Sequence, residues 1–173
     1  MEATVRRLAA SDAAVYHELR LRALRTEPTG FASTAEAEER RTVAEIVPRI
    51  ASAESFVVGA FDPVAGLLGV GGFYREAGPK MQHIGWIWGM FVAPEFRGRG
   101  LAARILASLI ADAGRVPGIQ QLQLRVVSTN AAALHLYESA GFKRVALLPR
   151  ALCVDGVFYD DVLMVRAMPR AAS

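Results

Sequence analysis

Between Ile84 and Ile110 the chain changes its hydrophobic period in one step. Ile84 to Val92 is almost wholly apolar, whereas Leu101, Ala102, Ile105, Leu106, Leu109 and Ile110 recur on one face at helical spacing. Pro94-Glu95-Phe96-Arg97-Gly98-Arg99-Gly100 lies between the two. An apolar strand that runs through a glycine turn into an amphipathic helix commits the chain to a sheet with a helix against it. It also builds a place for phosphate. Gly98 and Gly100 let the backbone turn without a Cβ penalty, so successive N–H groups can converge on an anion. The free N–H groups of the helix start add the equivalent of roughly half a positive charge, and Arg97 and Arg99 can add full ones.

A Walker-type loop needs Lys and then Ser or Thr after the second glycine, but Leu101-Ala102 stands there. A dinucleotide fingerprint needs three glycines and an acidic residue at the end of the next strand, and that strand, Gln120 to Val127, contains no Asp or Glu. What remains is a diphosphate that is held and not attacked, as in a pyrophosphate-linked carrier such as coenzyme A.

Arg97-Gly98-Arg99-Gly100-Leu101-Ala102 resembles the signature of the GCN5-related N-acetyltransferases: Arg or Gln, two residues, Gly, one residue, then Gly or Ala. Asn130 to Phe142, with Tyr137, Gly141 and Phe142 in place, is similar to the Asn…Tyr…Gly-Phe block that follows in the same family. Leu19 to Ser33, with its Leu-Arg-Leu-Arg-Ala-Leu-Arg run, Pro28 and Phe31, is similar to one bacterial branch of it. The resemblance implies an α/β (α+β) fold with a mixed, mostly antiparallel sheet flanked by helices. It implies acetyl-CoA as co-substrate, no metal, and transfer of the acetyl group to a primary amine by direct attack on the thioester.

The resemblance also assigns residues. The backbone of Met90-Phe91-Val92 partners the pantetheine amides, adding the arm like a strand to an unpaired edge, and an N–H there can serve as an oxyanion donor. Arg97 to Ala102 hold the pyrophosphate. Asn130 contacts the carrier, and the Tyr137 hydroxyl protonates the departing thiolate. The spacing agrees, since seven residues of helix advance about 700° and bring Asn130 and Tyr137 within about 20° on one face, roughly 10 Å apart. A phenol near 10 donating to a thiolate near 8.5 is uphill by about 2 kcal/mol.

The base is less legible. Some relatives carry a Glu five residues before the motif Asn, and this chain has Arg125 there. Others carry carboxylates on the central strand, whose middle here is Trp86-Ile87-Trp88. His83 is the one ionisable side chain expected on that strand and is the candidate base; Glu36 and Glu39 are weaker ones. His17 and His135 read as structural, as does Cys153, which has no second cysteine to pair with. The missing carboxylate motivates an alternative, a non-catalytic acyl-CoA-binding sensor or interaction module on the same fold. Tyr137 and Asn130 favour the enzyme. By resemblance, the acceptor pocket lies among Pro28–Ser33, Trp86/Trp88 and the Arg150–Phe158 connection, with small amines, amino acids, peptide N-termini and protein lysines all open.

The chain's 173 residues, 53% hydrophobic, suit one domain over 1–173. Eighteen Arg against two Lys, with a net charge of +3 and no clustered basic run, read as a solvated surface and not as a nucleic-acid face. The longest uncharged apolar stretch, Ile84 to Pro94, is too short to span a bilayer, and no leader pattern opens the chain; a soluble, cytoplasmic protein is expected. Family members are often dimers, so a homodimer is an expected assembly. The expected elements are strands at Thr4–Leu8, Ser55–Phe61, Gly66–Tyr74, His83–Val92, Gln120–Val127, Phe142–Leu148 and Val157–Arg166. Expected helices run from Ser11 or Asp12 to Arg25, from Gly100, and over Asn130–Ser139. A charged helical stretch over Ala35–Ala53 is expected to break near Thr42 or before Pro48, with Glu36, Glu38 and Glu39 on a solvated face. Gly69-Val70-Gly71-Gly72 reads as a strand at close backbone approach.

Overall fold

A computed structural model describes residues 3–169; the two ends of the expected domain, 1–2 and 170–173, lie outside the described residues. One sheet holds β1 (Thr4–Arg7), β2 (Ser55–Asp62), β3 (Gly66–Arg75), β4 (Ile84–Val92), β5 (Gln121–Val127), β6 (Lys143–Val154) and β7 (Val157–Ala167), in the order β1-β2-β3-β4-β5-β7-β6. All neighbours run antiparallel except β4 and β5. The exception has a cause, because the link between them passes through helix α4 (Leu101–Ala113), and a crossover helix returns the chain to start its next strand in the same direction.

Apolar side chains fill both faces. Ile105, Leu106 and Leu109 of α4, with Leu134, Tyr137 and Phe142 from and beside α5 (Ala131–Ser139), pack on Leu122, Leu124 and Met164. Each of those three α4 side chains contributes about 2 kcal/mol by leaving water. The other face carries α1 (Ala13–Thr26), α2 (Ala35–Glu39) and α3 (Val43–Ile50), with Tyr16, Leu19, Leu24, Ile46 and Ile50 over Val57, Val70 and Phe91.

The Ala35–Ala53 stretch therefore breaks at Thr42, not before Pro48, which lies inside α3. Thr42 and Glu45 form a capping box: Glu45 N–H donates to Thr42 Oγ1 (3.4 Å) and Thr42 N–H to Glu45 Oε2 (2.7 Å). Glu38 departs from the solvated face expected of it. It is 1% exposed, because α2 packs on α1 and brings its carboxylate to Arg49 (3.4 Å) and Arg41 (3.5 Å).

The segment after Leu148 is strand, not connection. β6 continues to Val154 and meets β7 through Asp155-Gly156, both at positive φ (50° and 79°), as a tight hairpin turn requires. Pro149 is tolerated because β6 is an edge strand and its register shifts between Leu148 and Leu152. The glycine run in β3 is the close approach expected of it. A Cβ on Gly69 would stand 2.8 Å from the Phe91 carbonyl oxygen, and one on Gly72 2.6 Å from Trp88 Nε1.

Candidate active site

The site begins where two strands part. β4 and β5 pair only from Ile84↔Gln121 to Trp86↔Gln123, yet β4 runs on to Val92 and β5 to Val127. Past Trp86, β4 still pairs with β3, through Phe91↔Val70 and Val92↔Gly69, while its other edge has left β5. Met90, Phe91 and Val92 lie on this open edge. A bulge at Gly89-Met90 opens this stretch, with the register slipping by one between Val70 and Gly72 and Gly89 at φ +64°. The extra residue flips the alternation of the strand. Ile87 faces the α4 side and Trp88 the α1 side, but so does Phe91, with Val92 back on the α4 side. Simple alternation along β4 misses this.

The open edge leads into the glycine turn. Gly98 and Gly100 both have φ +72°, and Gly100 is the N-cap residue of α4. Among the described residues beyond the adjoining backbone, no atom lies within 4 Å of the Cβ either would carry, so the turn borders open space. The arginines have protein partners. Arg97 Nε donates to the Val92 carbonyl (3.0 Å) and its Nη2 pairs with Glu27, tying the turn to the end of β4 and of α1. Arg99 lies over Phe96 (5.4 Å), and with Leu101 and Arg104 it lines a cavity of about 420 Å³ beside the turn. Ala102 follows in the first turn of α4.

Asn130 is the N-cap of α5 and not its first helical residue, with Oδ1 accepting from Ala133 N–H at 3.1 Å. Tyr137 is buried on the α4 side of the sheet, edge-on to Phe142 (centroids 6.0 Å apart). Burial pushes its phenol well above the ordinary tyrosine value. The 2 kcal/mol figure drawn from free pKa values therefore understates the step unless the thiol is desolvated too.

On the opposite face a cavity of about 520 Å³ opens beside the bulge. Thr29 to Ser33, Trp86, Trp88 and Gly89 line it together with Ala151 and Leu152 of β6. Its charged lining is Arg20, Glu76, Arg125 and Asp161, with Tyr74 adding a phenol. Trp86 Nε1 donates to Glu76 Oε2 at 2.9 Å. Burial raises the Asp161 carboxyl above its usual value, opposed by the charge of Arg125.

The cavity excludes the bases expected from sequence. His83 is exposed and just precedes β4, its carbonyl accepting from Gln120 N–H (2.9 Å), and roughly 23 Å of strand separate it from Met90. Glu36 and Glu39 are exposed, Glu39 pairing with Arg25. His17 Nε2 meets the Glu38 carbonyl at 3.0 Å and His135 is exposed. Cys153 is exposed on β6, so packing gives it no structural role. Sequence reading missed Asp161, Glu76 and Arg20. The first two had no signal, but Arg20 did: it falls with Tyr16, Leu19, Ala23 and Leu24 on the one face of α1 that is buried. Among the described residues, no group of three or more His, Cys, Asp or Glu could hold a metal ion, and no helix is long and apolar enough to cross a membrane.

An open strand edge ending in a glycine turn that borders open space, with a charged cavity on the other face of the sheet, suits a group-transfer enzyme that uses an extended carrier. The sequence profile of the Acetyltransferase (GNAT) family matches residues 16–142, and the chain belongs to that family. Its fold is shared with a GNAT-family acetyltransferase of Streptococcus pneumoniae (TM-score 0.85, 23% identity, 96% of this chain and 100% of that one). It is shared also with yncA of Salmonella typhimurium, solved with its cofactor acetyl-CoA (0.82, 20%, 100% and 98%). A GNAT-superfamily phosphinothricin acetyltransferase of Sinorhizobium meliloti, in complex with AcCoA, has the same fold (0.82, 19%, 97% and 89%). By sequence, 75 residues are 39% identical to an uncharacterised protein of Mycobacterium leprae, covering 43% of this chain and 19% of that protein.

Proposed function

We propose that the protein is an N-acetyltransferase that moves an acetyl group from acetyl-CoA to a primary amine by direct attack on the thioester. The observation that carries this reading is the open edge of β4, which joins the glycine turn to the parting of β4 and β5. The residues fit the carrier, since backbone amides at an unpaired edge suit the pantetheine arm and the open space at Gly98 and Gly100 suits a pyrophosphate against backbone N–H groups. Met90, Phe91 and Val92 would hold the arm, Arg97 to Ala102 the pyrophosphate, and Asn130 a further part of the carrier. Bound there, acetyl-CoA supplies an acetyl group activated as a thioester.

Tyr137 keeps its proton at working pH, because burial disfavours the phenolate. It is the general acid for the thiolate, whose own affinity for a proton rises in the same dry surroundings. Asp161 is the base in this reading. Its carboxylate lines the acceptor cavity, and a raised value brings it nearer the ammonium proton it must remove. The presence of Asp161 and Glu76 in the cavity removes the motive for a non-catalytic sensor, which was a missing carboxylate. His83 has no part. A cytoplasmic location and a homodimer belong to the same reading. The test is release of CoA thiol from acetyl-CoA with an amine panel. Turnover with an amine supports transfer, whereas thermal protection by acetyl-CoA with no turnover on any amine returns the sensor reading.

A further inference from the structure

Arg20 lines the acceptor cavity while only 4% exposed, and its Nε and Nη1 are buried without a hydrogen-bond partner among the described residues. Buried guanidinium nitrogens normally find acceptors, because a charge taken out of water without a partner is costly. Here the guanidinium lies over the rings of Phe31 (4.5 Å) and Trp88 (5.7 Å), and Nη1 comes within 3.6 Å of the Cβ position of Gly89. Glu38 is the acid beside it, and that carboxylate is already shared between Arg41 and Arg49. Two further donors, Trp88 Nε1 and the Tyr16 hydroxyl, are likewise buried and unpaired. The neighbourhood holds three guanidiniums against one carboxylate, with donors left over. It lacks an anion.

We propose that Arg20 binds a carboxylate on the acceptor, so that the molecule acetylated is an amine that also bears a carboxyl group, of the amino-acid kind. This rests on the transfer reading and narrows its substrate. A planar carboxylate accepts two parallel bonds from a guanidinium, and at this position it supplies the missing negative charge. Asp161 and Glu76 give the same cavity its opposite pole, which suits the ammonium end. Arg125 and Asp161 answer each other's charge, and Arg20 is left to the carboxylate.

The test compares common L-amino acids with their α-carboxamides, by thiol release for turnover and by calorimetry for binding. At least one amino acid should be used with kcat/KM roughly 10- to 150-fold above its amide, the range for hydrogen bonds to a charged group. Arg20→Met should abolish that preference without lowering Tm, because an apolar isostere of an unpaired buried charge is neutral or stabilising. Arg20→Lys, which keeps the charge and loses the fork, should recover part of it. Amides used or bound as well as acids across the panel, a folded Arg20→Met that keeps the preference, or no binding of either series each overturns the proposal. Should Arg20→Met fail to fold, the acid and amide series on the parent protein decide. Amides turned over as fast as acids would sink the carboxylate site and leave transfer intact. Acids bound in preference but never acetylated would do the reverse.

Discussion

Replacing Gly100 by Ala separates the backbone role of the turn from its ligand role. Gly100 stands at φ +72° with open space around its Cβ position, so the methyl group meets no protein atom. The folding cost is then the left-handed conformation alone, about 1–2 kcal/mol for a residue with a Cβ. In a chain of this size that lowers Tm by roughly 2–8 °C. In the proposed carrier reading binding suffers separately, because the methyl group occupies open space that the pyrophosphate would enter to reach the N–H groups at the start of α4. Losing one hydrogen bond to a charged oxygen, about 1.5–3 kcal/mol, weakens acetyl-CoA affinity roughly 10- to 150-fold. Gly156→Ala is the control, since Gly156 has φ +79° and equal room at the tip of the β6–β7 hairpin. It should lose the same Tm and keep the affinity. Calorimetry and thermal melts on both variants suffice, and an unchanged Kd in folded Gly100→Ala would refute the assignment of the turn to phosphate.

Tyr137→Phe should leave acetyl-CoA binding and Tm close to the parent's and lower turnover by on the order of 10²–10⁴-fold in a chemistry-limited assay; unchanged turnover returns Tyr137 to the core packing it already shares with Phe142. Asp161→Asn should remove the acidic limb of the kcat/KM–pH profile that belongs to the enzyme, leaving only the amine's own ionisation. Because the folded carboxyl is raised, the parent loses stability relative to Asp161→Asn as pH rises from the unfolded Asp value through the folded one. The two should melt alike below that window, and a variant less stable than the parent at neutral pH would contradict the desolvation of Asp161. Arg97→Ala breaks the bond to the Val92 carbonyl and the pair with Glu27. It should cost about 1 kcal/mol, or roughly 2–4 °C in Tm, with affinity for acetyl-CoA falling most at low salt; affinity equal to the parent's at low ionic strength would show that Arg97 serves the turn and not the ligand.

The sequence alone determined the strand, glycine turn and α4, because each is a local matter: an apolar run, residues that tolerate positive φ, and a helical stripe of Leu and Ile. It determined the ordered motif pair for the same reason. Other features were decided only by packing. The parting of β4 from β5 depends on where two strands distant in sequence stop sharing hydrogen bonds, and the bulge at Gly89 depends on the register against β3. Neither leaves a mark in composition or period. Asp161 reaches the cavity through the place of β7 beside β5, and Glu76 through the end of β3, so no spacing could have joined them. His83 lies outside the cavity lining, because identity and strand membership do not say which end of a strand carries the cavity. Arg20 lies between the two cases: its place on the stripe of α1 was readable, but that it would be buried without a counter-ion is a property of the elements packed around it. Short-range torsion and periodicity are written residue by residue, whereas burial, pairing and charge balance are sums over neighbours that only the folded chain assembles.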